Sequence, residues 1–144
     1  MVGFQRRVGA PKPGLPGQPL NPYAMAISAA SYQFDGTLKP GDFAFASPEK
    51  GQVNHLASKT GSHLLGIVVR SSGSYCAGAI IPIAVSGAIY AAIPDRQTPS
   101  SGQAVLCDPA SGEVTYGKTG DPNDTGWKVL SCDPGNGLVV YEKL

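Results

Sequence analysis

Apolar residues along this chain come in short runs cut by turn residues, and nowhere do they recur with the period of a helix. The run Ala24 to Phe34 (AMAISAASYQF) stops at Asp35-Gly36. Lys39-Pro40-Gly41-Asp42 turns into Phe43-Ala44-Phe45-Ala46, and Ser47-Pro48-Glu49-Lys50-Gly51 turns again. Leu64 to Arg70 (LLGIVVR) reads as a central strand, followed by the turn Ser71-Ser72-Gly73-Ser74. With turn signals roughly every eight to twelve residues, the pattern predicts an all-β fold, a compact antiparallel β-sandwich or barrel.

One apolar stretch is long enough to invite another reading. Ala77 to Pro94 carries no charge over its 18 residues, near the lower limit for a membrane-spanning helix. Pro82 lies inside it, Ser86-Gly87 interrupts it, and β-branched residues and Ala dominate it, so it reads instead as two buried strands joined at Ser86-Gly87.

A phrase occurs twice: Cys107-Asp108-Pro109-Ala110-Ser111-Gly112, then Cys132-Asp133-Pro134-Gly135-Asn136-Gly137. Asp accepts backbone hydrogen bonds at the first turn position, Pro presets φ at the second, and Gly supplies a left-handed residue. Strand-like residues flank both phrases, which predicts two hairpins of related design. A thiolate metal site needs four ligands, commonly in close pairs, and each phrase brings one Cys. The cysteines read as small buried hydrophobes at strand ends.

Composition adds an arm. Residues 1–22 hold prolines at 11, 13, 16, 19 and 22, glycines at 3, 9, 14 and 17, and no acidic residue. Such a segment forms neither helix nor sheet interior, and fully stretched it could span about 70 Å. The expected organisation is an extended N-terminal arm over residues 1–22 and a single β domain over 23–144, since 144 residues suffice for one core. Only 15% of residues are charged and the net charge is +1, which points away from nucleic acid or an anionic membrane and towards a protein partner. Cys76, Cys107 and Cys132 are an odd number at unrelated spacings, as in reduced thiols. The N-terminus lacks the apolar stretch of a secretory signal.

Motifs that invite chemistry lack their partners. Asp121-Pro122-Asn123-Asp124-Thr125-Gly126 matches the first half of a calcium loop, but Cys132 stands where the bidentate Glu belongs. Asp124-Thr125-Gly126 spells the aspartic protease triplet in the wrong setting, between Asn123 and bulky Trp127. His55 and His63 have no acidic orienting group near them in sequence and read as exposed loop residues. No glycine cluster precedes a helix to cradle phosphate. No catalytic residue, metal ligand or cofactor site is therefore expected.

Taken in order, the Pro/Gly-rich arm, Leu38-Lys39-Pro40-Gly41-Asp42-Phe43-Ala44-Phe45, Gly66-Ile67-Val68-Val69-Arg70, Ile83-Ala84-Val85-Ser86-Gly87-Ala88-Ile89-Tyr90, and Gly102-Gln103-Ala104-Val105-Leu106 with its Asp108 to Gly112 turn form a familiar pattern. It resembles the structural cement, or capsid decoration, proteins of tailed bacteriophages. The resemblance implies a non-enzymatic β protein on the outer surface of the expanded head, assembled in the host cytoplasm. Its implied partners are the major capsid protein and further copies of itself, as a homotrimer in preference to a homodimer. Within the arm, Phe4, Leu15, Leu20 and Tyr23 are the expected apolar anchors, and Arg6 and Arg7 the partners of acidic groups. A head-fibre or tail protein would share the β fold, but no long repeat is present. A carbohydrate-binding sandwich would expose several aromatics on one face, and here there are one Trp and four Phe, mostly in core-like contexts.

Overall fold

Short apolar runs bounded by Gly and Pro bury their backbone polar groups most readily by pairing as strands. The computed structural model shows this over the residues it describes, 14–21, 24–28, 32–34, 36–46, 55–70 and 79–144. In chain order the strands are β1 (Ala26–Ile27), β2 (Tyr32–Phe34), β3 (Phe43–Ala46), β4 (His55–Ser58), β5 (His63–Val68), β6 (Ile80–Ile81), β7 (Ile83–Ala92), β8 (Ala104–Cys107), β9 (Val114–Gly117), β10 (Asp124–Asp133) and β11 (Leu138–Lys143). They form one sheet in the order β6-β2-β4-β3-β5-β7-β11-β10-β8-β9, with β1 also paired to β7. The sheet curls into a half-barrel, and no α-helix occurs among the described residues. All pairs are antiparallel except β2 with β4, because β4 inserts between β2 and β3 and runs opposite to β3.

Both expected hairpins form. Between β8 and β9, Asp108 Oδ1 accepts from the Ala110 N–H at 2.9 Å, and the Gly112 N–H donates to the Asp108 carbonyl at 2.7 Å. Between β10 and β11, Pro134–Asn136 form one 3-10 turn, and Asn136 Nδ2 donates to Asp133 Oδ2 at 2.7 Å. Gly112 and Gly137 both close their turns in the left-handed region, at φ 76° and 66°.

The stretch around Ser86-Gly87 differs from expectation. β7 runs unbroken through both residues, and the break falls earlier, at Pro82, which has no N–H to give to a ladder. Ser86-Gly87 is instead where β7 changes partners. Ala84 to Ser86 face β1, and Gly87 to Ala92 pair with β11. A bulge interrupts the β1 ladder between Ser86 and Ala84. At Gly87 the φ is +108°, and a Cβ would lie 2.9 Å from the Met25 Cα, so only glycine permits β1 to cross so closely.

The concave side of the curl holds the main core. Phe43, Phe45 and Ile67 from one half meet Ile89, Val105, Trp127, Val139 and Tyr141 from the other, and Trp127 is 1% exposed. Phe43 and Tyr141 stack with ring centroids 5.8 Å apart. Because side chains alternate along a strand, Ala44 and Val68 point the other way. There they build a second, smaller cluster with Leu38, Ala57, Ile81 and Ile83. This explains why β3 is buried at every position and reads in sequence as an uninterrupted apolar run. His55 and His63, expected in loops, are the first residues of β4 and β5, and His63 is exposed.

Candidate interaction surface

Leu15-Pro16-Gly17-Gln18 is a turn with Pro second and Gly third, the signature of type II. The Gln18 N–H donates to the Leu15 carbonyl at 2.9 Å, Gly17 has φ +82°, and Gln18 Oε1 accepts from the Leu15 N–H at 3.0 Å. The turn places Gly17 between two parts of the sheet. Its N–H donates to the Tyr90 carbonyl at 2.7 Å, and its own carbonyl accepts from the Arg70 N–H at 2.7 Å.

The segment then continues along β7. Gln18 accepts from the Tyr90 N–H at 3.0 Å, Pro19 bridges Ile89, and the Leu20 N–H donates to the Ala88 carbonyl at 2.9 Å. Arg70 Nε donates to the Pro16 carbonyl at 2.8 Å. There is no room for more than glycine at the crossing, where a Cβ on Gly17 would meet the Pro40 Cβ at 2.5 Å. Residues 14–21 therefore form a strap joined to the body chiefly by backbone bonds. Leu15 is 54% and Leu20 48% exposed.

Beside the strap lies a recess of about 180 Å³ lined by Gly14, Leu20, Tyr90, Cys132, Leu138 and Val140. Leu138 and Val140 are buried yet belong to neither core cluster, since they alternate with the inward Val139 and Tyr141. They form an apolar patch outside the barrel.

Of the residues expected to bind partners, Leu15 and Leu20 stand together on this strap, and Phe4, Arg6, Arg7 and Tyr23 lie outside the described residues. Arg70 and Tyr90, which receive the strap, were not anticipated. The Pro-Gly pair at 16 and 17 was the signal that a turn, and hence a docking point, lies there.

The motifs set aside on sequence grounds have structural employment. Asp124 Oδ2 accepts from the Gly120 N–H at 2.8 Å and Oδ1 from the Gly126 N–H at 2.9 Å, and these bonds hold its carboxyl below the usual range. Buried Thr125 donates to the Val105 carbonyl at 2.7 Å. Burial, with Asp108 adding to it, pushes the Cys107 thiol up to about 12, which disfavours the thiolate. Cys132 is half-buried, and Cys76 lies outside the described residues. Among the described residues no three His, Cys, Asp or Glu side chains gather as metal ligands would.

The molecule is thus a curled all-β body carrying a backbone-anchored strap with exposed leucines. The chain belongs to the family of the XM1 gp53 minor capsid protein, whose model matches residues 4–141. It is a phage structural protein of the capsid, and its place is the virion. Comparison with curated proteins gives no match.

Proposed function

We propose that this minor capsid protein is a capsid cement. It binds the outer surface of the expanded head, bridges neighbouring major capsid protein subunits and stabilises the shell against the outward push of packaged DNA. The observation that carries this reading is the strap at 14–21, whose backbone is bonded to the body at Pro16, Gly17, Gln18 and Leu20 while the Leu15 and Leu20 side chains stay about half exposed. A bridging protein needs apolar groups held ready on a rigid frame, because ordering a loose segment would consume the energy of contact. Burying two such leucines contributes about 25 cal/mol per Å² of apolar surface, and a second contact from the body multiplies the effect through effective concentration. The preferred assembly is a trimer of copies around a symmetry axis of the shell.

The test is co-sedimentation with expanded shells that lack the protein. Three chains are compared: the full chain, one beginning at Gly14, and the full chain with Leu15→Asp and Leu20→Asp. Cutting at Gly14 keeps the strap, which a cut at Tyr23 would tear from Arg70 and Tyr90. The full chain is expected to pellet saturably, and the Asp variant to bind at least about tenfold more weakly, a loss of about 1.4 kcal/mol, with an unchanged circular dichroism spectrum. Failure of the full chain to pellet, or equal binding by the Asp variant, would sink the cement reading.

A further inference from the structure

Beside Pro16 of the strap and Arg70, a cleft of about 490 Å³ opens between the two halves of the curled sheet. Its size falls within the range of about 300–1,000 Å³ usual for binding clefts. Phe43, Ile93, Pro94 and Tyr141 line its apolar part.

Three exposed cations, Lys39, Lys59 and Arg70, stand around it, and none makes an ion pair among the described residues. The Lys59 and Arg70 side chains are nevertheless held. The Lys59 stem lies against Gly112, where an added Cβ would approach its Cγ to 2.6 Å. Arg70 is oriented by the bond from its Nε to the Pro16 carbonyl, which leaves the terminal guanidinium nitrogens to bond a ligand. Lys39 belongs to the turn in which its N–H donates to Asp42 Oδ2 at 2.9 Å.

Two carboxylates, Asp42 and Glu113, share the cleft, so three cations face two anions. That mixture disfavours a nucleic-acid backbone, whose closely spaced phosphates would meet Asp42 and Glu113. It suits a peptide whose carboxylates can be spaced to meet the cations and whose apolar residues reach the floor.

We propose that this cleft binds an extended acidic segment of a partner protein, one that carries Pro or Leu between its Asp and Glu residues. The inference rests on the cement reading only for the partner being a shell protein.

Fluorescence anisotropy of the full chain with a labelled peptide of repeating Pro-Leu-Glu-Asp tests it. The controls are the Gln/Asn counterpart, a Lys/Arg counterpart and an oligothymidylate. The acidic peptide is expected to bind, to weaken with added salt, and to lose at least about tenfold in affinity in the Lys39→Glu, Lys59→Glu variant. That variant should in turn prefer the Lys/Arg peptide. Equal binding of the Gln/Asn peptide, indifference to the charge reversal, or displacement of the acidic peptide by the oligothymidylate would overturn the proposal. The same variant in the shell sedimentation separates the two readings. A full chain that pellets but ignores the acidic peptide removes the cleft and keeps the cement function, and the reverse result removes the cement function and keeps the cleft.

Discussion

Tyr116 and Tyr141 share a hydrogen bond of 2.6 Å at the main core, the same cluster that holds Cys107. Burial raises all three acids above their ordinary values, most for Tyr141, and the neighbouring phenol raises Tyr141 further. The sign follows from linkage. The folded chain keeps these protons after the unfolded chain has begun to release them, so the stability they carry is complete below the unfolded values and is lost as pH rises. For Cys107 the window runs from 9.0 to about 12, and the phenols add to the loss from 10.0 upward. The melting temperature is therefore expected to fall steadily above about pH 9, and less steeply in Cys107→Ala, as read by circular dichroism. A melting temperature that stays level to about pH 11 would contradict it. The burial of Cys107 at a strand end was legible in the sequence, as for a small hydrophobe beside a turn. Its neighbours were not, because Trp127 and Tyr141 arrive from strands far along the chain.

Elements defined by turn chemistry were read well from sequence, since Asp, Pro and Gly encode the two hairpins locally and need no knowledge of the rest of the fold. β7 shows where that local reading stops. Ser86-Gly87 looks like a break because glycine usually weakens a strand, but here it serves the crossing of β1, a contact between residues about sixty positions apart. Gly87→Ala tests this account. Its Cβ would strike Met25, so β1 should lift away and the Ser28 amide, which donates to the Ile83 carbonyl at 2.8 Å, should exchange with deuterium at least about tenfold faster. The β10–β11 hairpin should keep its protection. Uniform loss of protection across the sheet, or none at Ser28, would refute a local role for Gly87.

For the whole molecule, the all-β class was legible because no helical period exists to compete with the turns, and the match over residues 4–141 places the chain in a capsid family. The half-barrel meets the expected sandwich or barrel, but the choice between those two was not legible, since curvature depends on which strands pair. The strap was half legible: its leucines stood out, but its attachment did not, because Arg70 and Tyr90 come together only after folding. If the protein is a cement, the shell's own melting temperature should climb with the concentration of added protein, as for any ligand that binds only the intact state. Calorimetry of shells titrated with the full chain reads this directly, and a shell melting temperature independent of added protein would speak against bridging. The strap has a mechanical consequence as well. A load drawn along residues 14–20 runs parallel to β7, so the bonds to Tyr90 and Ala88 are sheared together and not peeled one after another. The Arg70 bonds tie the same segment to the other half of the sheet. A tug on this end of the protein is thus spread over the whole body before any single bond has to give.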